Sequence, residues 1–180
     1  MPAAGLADPQ LRKNILNHPG PKPPVNRMHK LELKVPPPLV ALLIAAAMWG
    51  LSLVVPPVAP PTTLRTIIAI AIACVGIGID IAGAITFRRA RTTINPLRPN
   101  ASSALVTTGV YRFTRNPMYV GLAVVLLAWA IWLASVLALL GLPAFVIYIS
   151  RFQIAPEERA LAGIFGDAFT AYQSRVRRWL

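Results

Sequence analysis

Four apolar runs, at about 37–55, 64–87, 118–134 and 136–152, divide this chain and leave it few ways to fold. Stretches of that length and polarity approach the ~20 residues that cross a bilayer as a helix. Hydrophobic residues make up 56% of the sequence and charged residues only 13%. A soluble fold would therefore need an unusually apolar surface. The third and fourth runs are short and meet at Ala134-Ser135. They read as a hairpin that tilts little, thins the bilayer or sits low in it. The expected fold class is an all-α integral membrane protein: four transmembrane helices and a C-terminal amphipathic interfacial helix.

Charge placement supports four spans over three. Cytoplasmic segments carry an excess of Lys and Arg, and that bias sets orientation. Six basic residues fall before residue 35, six between 88 and 116, and five after 150, leaving Arg65 alone on the far side. One long helix over 118–152 would export Arg175, Arg177 and Arg178. Both termini are thus expected in the cytoplasm, which for a bacterial chain means a multi-pass protein of the inner membrane. The net charge of +12 follows from this topology. The basic residues lack the interleaved aromatics of a nucleic-acid surface, so membrane lipids are the expected partners and nucleic acid is not.

Residues 1–34 are polar, basic and proline-rich, without the apolar core of a signal peptide, and read as a flexible tail ahead of a membrane domain at 35–180. The PPVAPP turn between the first two runs breaks any helix. Cys74 lies within an apolar run and has no partner for an internal disulfide. His18 and His29 stand alone, so no metal site is expected.

Two polar clusters flank the hairpin. The first is GVYRFTRNPMYVG at 109–121, and the second is Glu157-Glu158 with the LAGIFGDAFTAYQSRVRRWL segment that follows at 161–180. Leu161, Ile164, Phe165, Ala168, Phe169, Tyr172 and Val176 recur at helical spacing, which predicts one amphipathic helix over about 157–178 lying across the hairpin's mouth. In the second run, Gly76-Ile77-Gly78 precedes Asp80. No strand precedes these glycines, so they are no soluble dinucleotide fingerprint, and small residues in a membrane helix favour close helix packing. Asp80 is an ionisable group in an apolar run, hence a functional candidate or a partner for Arg88.

Three of these motifs, in this order and spacing, resemble the isoprenylcysteine carboxyl methyltransferase and phospholipid N-methyltransferase superfamily. The resemblance runs from about Gly76 to Leu180. Arg115-Asn116-Pro117-Met118-Tyr119-Val120-Gly121 is similar to its Arg-(His/Asn)-Pro-x-Tyr-x-Gly, and Glu157-Glu158 to its paired glutamates. Phe165-Gly166 with Tyr172 is similar to its tail motif, except that Phe169 replaces the first tail tyrosine. The resemblance implies a membrane methyltransferase domain over 35–180, using S-adenosyl-L-methionine and a lipophilic or lipid-linked acceptor. It also implies Arg115, Asn116 and Glu158 as catalytic residues. Tyr111, Arg112, Asn116, Pro117, Tyr119, Gly121, Glu157, Glu158, Gly76 and Gly78 are the implied cofactor contacts. Asn116 replaces the histidine typical of the isoprenylcysteine enzymes, and the acceptor atom stays open.

The residue chemistry is compatible with that assignment. Arg112 or Arg115 can grip a carboxylate. Glu157 or Glu158 can accept from hydroxyls or an ammonium, and Tyr111 or Tyr119 can face a cation or stack on a base. Pro117 suits a helix start, where free N–H groups can receive an anion. Each residue also has a plainer reading. The arginines are positive-inside anchors, the tyrosines an aromatic belt, and the glutamates a favourable charge at a helix N-terminus. A nicotinamide-dependent membrane reductase and a non-enzymatic assembly protein are the alternatives from other classes.

The charge bias yields a direct test. Reporter fusions after residues 34, 100 and 180 should all report cytoplasm, and one after residue 59 should not. A non-cytoplasmic C-terminus would overturn the four-span topology.

Overall fold

A computed structural model describes residues 32–54, 57–58, 62–89 and 105–180. Within them the chain is helical, with no strand. Residues 1–31, most of the PPVAPP turn and residues 90–104 lie outside the described residues, and with them His18 and His29.

Helix α1 spans Pro37–Ser52, with proline in its first turn, where a missing N–H costs nothing. It buries Val40, Ala41 and Met48 and turns Leu42, Leu43 and Trp49 outward. Helix α2 spans Thr63–Arg89, 27 residues and thus roughly 40 Å at ~1.5 Å per residue. It exposes Ile67, Ile70, Val75, Ile77 and Ile81, a surface suited to lipid and not to water. Helix α3 spans Pro117–Leu133 and ends where Ala134 takes a left-handed conformation, φ +48°.

The last helical run is continuous from Leu137 to Phe165. It opens with a 3-10 turn at Leu137–Leu140, continues as α4, Gly141–Ile149, widens into a π turn at Ser150–Ile154, and resumes as α5, Ala155–Phe165. The wide turn just before Pro156 displaces the carbonyl that its ring would otherwise strike. Helix α6, Asp167–Gln173, follows after one residue.

That arrangement corrects the single interfacial helix expected over 157–178. Its first half is the end of the fourth run, and Gly166, at φ +49°, breaks the axis before α6. Apolar spacing cannot detect a one-residue break that leaves both halves facing the same core. Only glycine takes that backbone conformation at little cost. Residues 32–34, expected in the tail, are docked together with Val35 at the start of the domain. Leu33 N–H donates to the Phe152 carbonyl (3.1 Å), buried Glu32 pairs with Arg159 (2.6 Å), and Gln153 donates to Val35 (2.6 Å).

Two helical runs, Thr63–Arg89 and Leu137–Phe165, are long and apolar enough to cross a membrane, while Pro37–Ser52 and Pro117–Leu133 are shorter. A core of Met48, Tyr119, Leu126, Phe145, Ile149 and Ile154 joins α1, α3 and the last run. Helices α2 and α3 form the most extensive pair. They cross at Gly76 and Gly121: a Cβ on Gly76 would lie 2.7 Å from the Gly121 carbonyl oxygen, and one on Gly121 would strike Asp80 and the Gly76 carbonyl. Helices α1 and α2 both lean on α3 and barely touch each other. Between them runs an apolar groove of about 650 Å³, lined by Ala41, Ala45, Ala69, Ala73, Trp129 and Trp132 among others.

The crossing predicts a sharp contrast between neighbouring glycines. Gly76→Ala should lower the thermal midpoint, because overpacking a tight contact costs about 1–3 kcal/mol. Gly78→Ala, with open space around it, should be neutral or slightly stabilising through helix propensity. Equal behaviour of the two variants in detergent melts would show that the crossing is not tight.

Candidate active site

The RNP segment forms a junction between α3 and the C-terminus. Asn116 precedes the first turn of α3, and Arg115 lies under the chain that leaves α6. One terminal nitrogen of Arg115 donates to the carbonyls of Gln173 (3.0 Å) and Val176 (2.6 Å), and the other to Glu158 Oε1 (2.8 Å). Its backbone N–H donates to the Arg177 carbonyl (2.9 Å). The Asn116 amide and the Thr114 hydroxyl both donate to the Arg178 carbonyl (2.9 and 3.2 Å). Arg178 turns back to pair with Glu158 Oε2 (2.5 Å), and Trp179 donates to the Ser150 hydroxyl (3.1 Å). Residues 173–180 are therefore a strap, tied down by polar groups of the motif. A planar five-donor fork is the side chain able to satisfy two carbonyls and a carboxylate together.

The two adjacent glutamates are used differently. Glu158 lies between Arg115 and Arg178 and is neutralised. Glu157 receives the Tyr119 hydroxyl at 2.5 Å and has no cationic partner among the described residues. Tyr111 stands beside this pair, on a 3-10 turn, Gly109–Arg112, that packs edge-on against Phe87 of α2. The Tyr172 hydroxyl donates to the Tyr111 carbonyl (2.7 Å), joining α6 to that turn. Burial pushes the Tyr172 hydroxyl up to about 12, against the opposing pull of Arg115. Burial raises Tyr111 further, with Tyr172, Glu157 and Asp80 adding to the effect, so both phenols stay protonated donors at neutral pH.

The sequence-derived candidates thus divide into groups. Arg115, Asn116 and Glu158 come together, but as the anchor of the strap. Tyr111, Pro117, Tyr119 and Glu157 surround the start of α3, with Gly76 and Gly121 at the crossing below. Arg112 is not drawn in: it is exposed on the outer side of its turn. Gly78 is also outside the cluster. Two residues on a helix turn the side chain by about 200°, so Gly78 faces outward while Gly76 faces α3. The strap carbonyls and Thr114 were not legible from sequence, because a backbone acceptor leaves no mark on residue identity. Among the described residues, no group of three or more His, Cys, Asp or Glu is arranged to hold a metal.

Two helical runs long and apolar enough to cross a membrane, with a polar cluster beside them, are the features of a membrane protein. Residues 64–168 match the family described as phospholipid methyltransferase, and the chain belongs to that family. Membership assigns it to the membrane methyltransferases. An uncharacterized protein of Haemophilus influenzae is 49% identical over 63 residues, 35% of this chain and 100% of the relative. No solved structure matches the chain.

The strap can be tested without a substrate. Arg115→Lys keeps the charge but cannot reach all three acceptors. Losing one charged hydrogen bond costs about 1.5–3 kcal/mol, so the thermal midpoint should fall and carboxypeptidase should trim the C-terminus faster. Wild-type melting and trimming would show that the strap does not depend on the guanidinium.

Proposed function

We propose that this protein is an S-adenosylmethionine-dependent methyltransferase acting on a lipophilic acceptor at the cytoplasmic face, with four spans and both termini inside. The observation that carries the reading is Glu157: a carboxylate bonded to Tyr119, beside Tyr111, with no arginine paired to it among the described residues of a chain rich in arginine. Family membership supplies the reaction class.

The residues present fit the cofactor. S-adenosylmethionine supplies an electrophilic methyl group on a sulfonium, together with an ammonium, a carboxylate and a ribose diol. Glu157 can accept hydrogen bonds from the ammonium or the diol. The tyrosine rings of Tyr111 and Tyr119 suit a cation or a base. The first turn of α3 suits the carboxylate. Arg115, Asn116 and Glu158 act by holding the strap and so shape this end of the bundle. The apolar helix faces keep the site poor in water, where fixed dipoles and charges act strongly. The groove between α1 and α2 supports a lipophilic acceptor. The family match turns the choice away from a nicotinamide reductase and from a non-enzymatic assembly protein.

Calorimetry on detergent-purified protein tests the reading. S-adenosylmethionine and its demethylated product should bind, and NADPH should not. Glu157→Gln should weaken both by about tenfold or more, the equivalent of ~1.4 kcal/mol. Binding of NADPH, or of none of the three, would overturn the assignment.

A further inference from the structure

The short segment before α1 is tied at several points to the wide turn of the last run, and that turn leads directly into Glu157. The Glu32 carboxylate is buried and lies between two arginines of the run, Arg159 (2.6 Å) and Arg151 (3.7 Å). Arg151 stands in the π turn and Arg159 in α5, so Glu32 spans the stretch that holds Pro156, Glu157 and Glu158. Leu33 N–H donates to the Phe152 carbonyl (3.1 Å), an acceptor that in an α turn would meet Pro156, which has no N–H to give. Gln153 is fully buried and donates to the Val35 carbonyl (2.6 Å). None of these contacts belongs to the strap or to the Tyr119–Glu157 pair.

The wide turn sets the phase of α5. A π turn carries one residue more than an α turn, and each residue rotates a helix by about 100°. Everything after Ile154 is therefore displaced by one position relative to an unbroken α-helix continued from α4. In that unbroken helix Pro156 would face Tyr119, and Glu157 would take the place between Arg115 and Arg178 that Glu158 holds. The extra residue thus gives Tyr119 to Glu157 and both arginines to Glu158. Pro156 disfavours a plain α turn here, while the docked segment fixes the wide turn at Ser150–Ile154. Its partners come from 118 and 127 positions away in sequence. Single π turns within α-helices concentrate at functional sites.

We propose that Glu32 is a positioning residue for this site: with Leu33 and Val35 it clasps the π turn whose extra residue sets Glu157 against Tyr119. The inference rests on the reading of Glu157 as a cofactor contact and adds what keeps that carboxylate in place. Glu32 acts through the rotation of α5 and not by touching a ligand. Arg115 and Arg178 attract any carboxylate within reach. A turn of α5 by one position would bring them Glu157 and neutralise the group that the cofactor needs. The clasp opposes that turn, because Arg151 and Arg159 bind Glu32 from both ends of the stretch that would have to move.

Fluorine spectroscopy and calorimetry on purified full-length protein test this without turnover. A 3-fluorotyrosine placed at position 119 reports the Glu157 contact in the absence of any ligand. Glu32→Gln should move its resonance most of the way to the position seen in Glu157→Gln. The same variant should weaken binding of S-adenosylhomocysteine, the demethylated cofactor product, by about fivefold or more, and that loss should vanish in a Glu157→Gln background. Arg159→Gln should act like Glu32→Gln, and Arg159→Lys, which keeps the charge, should recover most of both signals. Arg159 is partly exposed, so its variants carry the comparison if Glu32→Gln fails to fold. A resonance unmoved in both glutamine variants overturns the proposal. So does a loss of affinity that is equal in the wild-type and Glu157→Gln backgrounds, which would leave Glu32 a role in stability alone. A resonance that moves as expected, in a protein that binds neither S-adenosylmethionine nor its product, would keep the positioning role and remove the methyltransferase reading itself.

Discussion

The contact between Gly76 and Gly121 sets the geometry of everything at the start of α3. Two helices in lipid gain no hydrophobic energy by meeting, so close backbone approach and van der Waals contact must hold them together. Here each glycine occupies the space that a methyl group on the other would need. The approach has a directional consequence. It fixes the rotation of α2 about its axis, which turns Asp80 and Gly83 towards α3 and Tyr111, and turns Gly78 and Cys74 outward.

A second constraint comes from the C-terminus. The chain is strongly basic, and its last residues carry three arginines that a role as charged anchors alone would leave without fixed partners. Instead the side chains of Arg115, Asn116 and Thr114 collect three backbone carbonyls of that segment, and Glu158 holds Arg115 and Arg178 together. The pair Glu157-Glu158 is split by this arrangement. Successive helical residues point about 100° apart, so one glutamate faces the strap and its neighbour faces Tyr119. An adjacent pair therefore serves two environments, one neutralised and one not.

Much of this was legible in the residues, though unevenly. Apolar runs marked the helices, and Pro117 marked the start of α3. The break at Gly166 was hidden, because Phe165 and Phe169 keep the spacing of one helix across it. The joining of α4 and α5 was hidden too. Pro156 and two glutamates look like the start of a new helix, yet a π turn carries the axis through. In the candidate site, the sequence marked residues by type and order, and Tyr111, Tyr119 and Glu157 do converge. It could not show that Arg115 is already occupied by the protein's own backbone.

What the sequence alone determined is a helical chain with too much apolar surface for water, the places of its polar clusters, and a motif order that pointed to the family. These follow from local properties: hydropathy, proline placement and the order of residue types along one strand of text. Only the tertiary structure decided which carboxylates have partners. Glu158, Glu32, Glu157 and Asp80 are alike in charge, and they differ solely in what the folded chain brings to them. That difference arises from contacts across 20 to 127 residues, a distance over which neither spacing nor periodicity carries information.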